Sequence, residues 1–244
     1  MKKRILAVIL AIAMLLPVFC IGSFAATPEE EAKQYLTETL GILSSGNFTI
    51  KARAASPFGG NNLLPITIVM DDNHFAFEAT IDWAQHLRAE GYSNTGATLM
   101  GWGMQLLFGS KIRVITMPDQ VLVILPNRRF YLSMLDVSDM QFEYSFDEIF
   151  AIAVVDVSQW LEGLDLTVTE PVIDGKKYLC ATVKYEDITN NYYYLSGQLK
   201  RIVSQDLTWE IDELKAAADE SLLSTKGMVK LPFDMPANLP LFRF

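Results

Sequence analysis

Imidazole and carboxylate gather at one place in this chain, where Asp71, Asp72, His74, Glu78, Asp82 and His86 follow one another closely. Three such side chains can hold zinc tetrahedrally, and Asp82 and His86, four residues apart, share a face if the segment between them is helical. The same residues have a simpler use. Asp71-Asp72-Asn73 is ordinary turn chemistry, His74 and Glu78 fall on the polar face of a strand, and carboxylates keep an acidic surface soluble. The simpler use is preferred, and neither a metal nor another cofactor is expected.

Other catalytic arrangements are absent in recognisable form: a nucleophile elbow, a His-Glu-x-x-His helix, a cysteine beside a histidine, a phosphate-cradling glycine loop. Gly101-Trp102-Gly103 lacks the third glycine and the basic partner of a nucleotide loop. The carboxylate pairs Asp147-Glu148 and Asp212-Glu213 are sequence neighbours whose side chains point apart, which does not suit acid and base work on one substrate. The expectation is a protein without enzyme activity. Tyr192-Tyr193-Tyr194, with Tyr178 and Tyr185 nearby, could stack on a sugar, although tyrosine is also simply a good strand residue.

The least ordinary stretch runs from Leu99 to Phe108, apolar almost all round, interrupted by glycine and too short to span a bilayer. Functionally it reads as a lid or plug over a hydrophobic cavity. Leu99, Met100, Trp102, Met104, Leu107 and Phe108, joined by Phe77 from a strand, are the candidate ligand contacts, with the two methionines supplying an adaptable lining. Structurally it reads as a helix buried in a concave sheet.

The elements that must position these residues follow from capping and periodicity. Thr27, Pro28 and Glu30 mark the start of a helix with a buried stripe of Ala32, Tyr35, Leu36, Leu40 and Leu43. Alternation then predicts a strand over 48–53 and a hairpin from Ile66–Met70 to Phe75–Ile81, and Asp82 caps a short helix from Trp83 to Glu90. An antiparallel meander covers 111–117, 120–125 and 128–135. Ser145 and Glu148 form a second capping box for an amphipathic helix through Leu161, and strands return over 165–169, 176–185, 192–195, 198–204 and 207–214. With no βαβ alternation, the fold class is α+β: a curved antiparallel β-sheet, a half-open barrel covered on its concave face by helices.

Lys2, Lys3 and Arg4 precede an apolar run, Ile5 to Ile21, that ends in Gly22-Ser23-Phe24-Ala25-Ala26, the pattern of a secretory signal peptide cleaved after Ala25. Cys20 is preceded by Phe19 rather than a small residue, so lipidation there is not expected. Residues 1–25 then form the signal peptide and 26–244 a single extracytoplasmic domain, in the envelope or secreted, with Cys180 its one thiol. Without the leader's three basic residues, 17 basic residues face 29 acidic, a net charge near −12. That balance argues against nucleic acid, and against docking on anionic lipid head groups by charge alone.

Three segments carry a resemblance to a known superfamily: Gly46 to Lys51 after the first helix, the meander Val121 to Tyr131, and Tyr192 to Ile202. The closing Ala218 to Leu223 and the proline-containing Leu231 to Pro236 extend it, as a last strand and the proline that follows it. In these the chain resembles the lipoprotein carrier (LolA-like) superfamily and the related lipid-binding lipoproteins of mycobacteria. The resemblance implies a bacterial envelope protein whose curved sheet, covered by helices, holds an acyl chain, lipid or other hydrophobic small molecule, in transient contact with a membrane or an envelope protein. The alternative is a secreted or surface interaction module with a fully packed core and no ligand.

Overall fold

A computed structural model of the chain describes residues 26–55, 63–117, 120–135, 165–185, 188–204, 207–232 and 235–236. The leader and the predicted helix from Ser145 to Leu161 lie outside them.

Helix α1 (Pro28–Ser44) begins where its capping box requires. Glu30 N donates to Thr27 Oγ1 at 3.2 Å, and Thr27 N returns a bond to Glu30 Oε2 at 2.8 Å. Its buried stripe is Ala32, Leu36, Thr39, Leu40 and Leu43, with Tyr35 half-buried beside it. Each leucine removed from water contributes about 1.5–3 kcal/mol.

Strands β1 (Phe48–Ala55), β2 (Leu63–Met70) and β3 (Phe75–Thr80) lead into helices α2 (Trp83–Ala89) and α3 (Asn94–Phe108). A meander follows: β4 (Lys111–Met117), β5 (Gln120–Leu125) and β6 (Phe130–Leu135). Beyond residue 164 come β7 (Asp165–Thr169), the small β8 (Val172–Ile173) and β9 (Lys176–Lys177), then β10 (Leu179–Tyr185), β11 (Ile188–Leu195), β12 (Gln198–Ser204) and β13 (Leu207–Lys215). Two short strands close the described chain, β14 (Val229–Lys230) and β15 (Met235–Pro236).

One sheet takes in all of these except β8 and β9, in the order β14-β6-β5-β4-β3-β2-β1-β13-β12-β11-β10-β7, with β15 also on β6. Its pairings are antiparallel apart from β14 and β15, which run parallel to β6. The sheet is open at its ends, not closed into a barrel. The proline-containing tail joins the sheet, with Met235 and Pro236 opposite Met134 and Leu135.

Alternation assigns the two faces. Ile50, Ile68, Phe77, Val114, Val123 and Leu132 form one row across β1 to β6; Thr49, Val69, Ala76, Ile115 and Leu122 form the row behind it. From β3 through β1 to β7, the first face packs on α1. That core draws in residues from β3 at one side and β7 at the other, eight adjacent strands. Eight flat strands would span about 34 Å at ~4.8 Å spacing, against a helix about 10 Å wide, so the sheet curls around α1.

An irregular strap, residues 216–228, covers part of the second face, placing Ala218, Leu222, Leu223 and Met228 over Val69, Ala76, Ile115, Leu122 and Ile124. Ala218 to Leu223, which the resemblance assigns to a last strand, is part of this strap and has no strand pairing. Thr49 Oγ1 holds it by donating to Ala217 O at 2.8 Å and accepting from Asp219 N at 2.9 Å. Asn47 Oδ1 accepts from Ala218 N at 2.6 Å.

Candidate functional site

The residues that could bear metal chemistry serve turn, cap and ion-pair roles, and two of them, Asp71 and His74, contact each other. Asp71 closes the β2–β3 turn by accepting from the backbone of Asn73 and His74, and its Oδ1 lies 2.9 Å from His74 Nδ1. Burial raises the Asp71 carboxyl, and these hydrogen bonds outweigh it, so the group sits below the usual carboxylate range. Asp82 caps α2 by accepting from Gln85 N at 3.0 Å. Among the described residues, no three His, Cys, Asp or Glu side chains converge as metal ligands.

Glu78 departs from its expected place on a solvated polar face. It is 9% exposed, and Arg113, 7% exposed, donates to it through Nε and Nη2, while Lys111 Nζ reaches its other oxygen. The reason is the strap: the second face of β3 is covered, so a carboxylate there needs cationic partners. Arg113 Nη1 in turn donates to Leu222 O at 3.3 Å, tying the strap to the sheet.

The tyrosine run does not form a stacking platform. Tyr192 and Tyr194 point into the core beside α1, where burial pushes the Tyr192 phenol up to about 12 and raises Tyr194 as well. Tyr194 OH donates to Thr39 Oγ1 at 3.1 Å. Tyr193 faces the other way, edge-on to Tyr178 at 6.4 Å.

A cleft of about 380 Å³ opens between α1 and β12–β13, lined by Tyr35, Glu38, Lys200, Asp212 and Glu213 among others. Its walls are polar, and two of its carboxylates are paired: Asp212 with Arg53 at 3.1 Å and Glu213 with Lys51 at 2.9 Å. Glu213 is held below the usual carboxylate range by its hydrogen bonds from Lys215 and Lys51. This cleft does not suit an acyl chain.

The apolar feature lies elsewhere. Helix α3 starts five residues before Leu99, with Ser93 Oγ accepting from Gly96 N at 3.2 Å. It ends at Gly109, whose φ of 83° suits glycine. Asn127 crowds that glycine, its Cβ 2.7 Å from where an added side chain would begin. Arg128 Nη2 bonds the carbonyls of Gln105 and Leu106, placing a cation at the negative end of the helix dipole.

Only one stripe of α3 is covered. Ala97 and Gly101 are buried and Met104 and Phe108 half-buried, a spacing that repeats on one helical face. This stripe lies against α2: a Cβ on Gly101 would stand 2.7 Å from Ala84 N, and Phe108 packs on Trp83 at a ring separation of 6.1 Å. Trp83 Nε1 donates to Gly109 O at 2.7 Å, locking the helical pair to the start of β4.

The rest of α3 meets water. Leu99 is 70% exposed, Trp102 67%, Leu107 66%, Leu106 57% and Met100 45%. The segment is thus a surface helix, neither a plug in the concave sheet nor a buried core element. Phe77 is not brought to it, since that ring belongs to the face packed on α1. Sequence reading missed Leu106, and Tyr92 just before the helix, although a run of 15 residues without a single charge was the available signal.

No known protein-family model matches the chain, and no curated protein matches it in sequence. Solved structures with a similar trace include a chain of the Pseudomonas aeruginosa MucA/MucB complex, at 10% identity and a TM-score of 0.37, over 79% of this chain and 60% of that one. An uncharacterised conserved protein from Thermus thermophilus has the same identity and TM-score over 82% of this chain and 98% of its own. MucB in complex with periplasmic MucA aligns at 11% identity and a TM-score of 0.30, covering 79% of this chain and 58% of that chain. The chain thus spans about three fifths of the length of the MucA/MucB chains it aligns with.

Proposed function

We propose that this protein is a non-enzymatic, extracytoplasmic binding module that takes an acyl chain, lipid or other apolar ligand against helix α3. The observation that carries the reading is the outward face of α3, where Leu99, Trp102, Leu106 and Leu107 stand more than half exposed side by side. Soluble proteins rarely leave large apolar side chains clustered in water, and such clusters mark partner, ligand or membrane contacts. The extracytoplasmic part of the proposal draws on the leader-like N terminus.

The ligand's place differs from the one the family resemblance implies. The face of the sheet from β3 round to β7 is occupied by α1, whose Ala32 and Leu36 are wholly buried in the core it shares with β7, β10 and β12. Uptake therefore occurs on the outside of α3, with Met100 and Met104 at its margin, and Phe77 keeps a packing role.

Uptake of a monomeric fluorescent fatty acid tests this. Trp102→Glu lowers affinity about tenfold or more while leaving the melting temperature near that of the parent. Equal uptake by parent and variant sinks the proposal and favours the alternative, an interaction module with a packed core that acts through another surface.

A further inference from the structure

The acidity of this chain is unevenly spread. From Gly91 to Leu135 the sequence holds one acidic residue, Asp119, against Lys111, Arg113, Arg128 and Arg129, although the whole chain carries −9. This stretch contains α3 and the strands to which it returns. Helix α3 has no charged residue of its own, yet two guanidinium groups flank it. Arg88 Nη2 donates to Thr98 Oγ1 at 3.3 Å near one end, and Arg128 holds the carbonyls of Gln105 and Leu106 near the other. At ~1.5 Å of rise per residue these contacts are about 11 Å apart along the axis, with Trp102 between them.

Lys111 and Arg113 share the single carboxylate of Glu78, so that trio retains one positive charge. The acidic residues beside the helical pair are Asp82, engaged on Gln85 N, and Glu90, the C-cap of α2 two residues after Arg88. Screening lengths near 8 Å in physiological salt mean that a surface responds to the charges beside it, not to the net charge of distant strands.

We infer that α3 is a docking helix for the surface of an anionic phospholipid bilayer, with Leu99, Trp102, Leu106 and Leu107 entering the acyl boundary and Arg88 and Arg128 meeting head-group phosphates. This deepens the proposed function and rests on it. An interfacial helix buries its apolar face about 5–10 Å into the head-group boundary, while basic side chains reach back to the phosphates and tryptophan settles at the interface. A second copy of this chain fits the face less well, since it sets the same basic stretch against itself.

Vesicle flotation tests the inference, using protein processed as its producing cell leaves it and vesicles of phosphatidylglycerol with phosphatidylethanolamine, or of phosphatidylcholine alone. The protein floats with the anionic vesicles about tenfold better than with the neutral ones, and about 0.5 M NaCl erases most of that difference. Leu106→Glu combined with Leu107→Glu lowers flotation about tenfold or more. Trp102→Phe still floats but loses the lipid-induced blue shift of tryptophan emission, which places Trp102 in the lipid.

Flotation unaffected by the paired glutamates, equal flotation on the two vesicle types, or a blue shift that survives Trp102→Phe overturns the inference. Uptake of a monomeric fatty acid that depends on α3 without vesicle binding leaves the proposed function standing and removes the bilayer. A dimer that forms through α3 and does not float replaces the bilayer with a second copy. If neither fatty acid nor vesicle binding depends on α3, the inference and the proposed function fall together.

Discussion

Arg113 donates through Nε and Nη2 to one oxygen of Glu78, at 2.9 and 2.7 Å, with the two side chains only 8% and 11% exposed. A buried pair of this kind is a weak source of stability but is costly to break, because the survivor is left as an uncompensated charge. Lys111, nearly half exposed, can turn to water if its partner is lost.

Arg113→Met therefore destabilises the protein by about 3–5 kcal/mol, read from urea unfolding. Adding Glu78→Leu to that variant restores much of the loss. A double variant no more stable than the single one means that the pair holds the strap rather than merely neutralising itself.

The strap has its own fastening at Thr49, whose hydroxyl donates to Ala217 O and accepts from Asp219 N. Thr49→Val keeps the shape and leaves two backbone groups without partners, at a cost of about 1–3 kcal/mol. Hydrogen exchange localises the effect: amides of 217–223 lose protection while those of α1 do not.

Acid loosens the same strap. The Asp219 carboxyl is held below its ordinary value first by the Ser221 hydroxyl, against an opposing contribution from burial, with further help from Ser221 N. A depressed folded-state value contributes stability that is present above the unfolded value, near 3.9, and is lost as pH falls through the folded one. Protection of residues 217–223 accordingly declines below about pH 4. Asp219→Asn removes that pH dependence, and an unchanged acid profile in this variant assigns the loosening to another group.

Helix α3 divides into positions that differ sharply in tolerance. Gly101→Leu forces a side chain into the backbone of Ala84 and destabilises the helical pair by about 1–3 kcal/mol or more. Leu106→Glu, on the exposed side, changes stability by no more than about 0.5 kcal/mol. Thermal unfolding of the two variants side by side checks the assignment of faces, and equal losses contradict it.

Tyr194→Phe removes the hydroxyl that donates to Thr39 inside the core. Thr39 can satisfy itself within the helix, so the loss is about 1 kcal/mol in chemical denaturation. A loss several times larger marks the contact as the anchor of α1 on the sheet.

Much of the architecture was legible in local chemistry. Thr27 with Glu30, and Asp82, announce helix starts because capping is settled within three residues of the chain. The alternation of Phe75, Phe77 and Ala79 with Ala76 and Glu78 announces a strand for the same reason, since a two-residue period needs no distant partner. The apolar run around Trp102 was equally visible, and so was its lack of charge.

What a linear pattern does not hold is which surface lies above which. Glu78 sits on the strand face that periodicity makes polar, yet that face is buried because residues more than a hundred positions later fold across it and Arg113 arrives from the next strand. Trp102 is apolar in a stretch that reads as core, yet the stripe of α3 that packs is the one bearing Ala97 and Gly101, small enough for α2 to approach. Burial is a property of neighbours. The sequence determined the elements and their chemistry; the tertiary structure decided that a carboxylate would be enclosed and a tryptophan left facing outward.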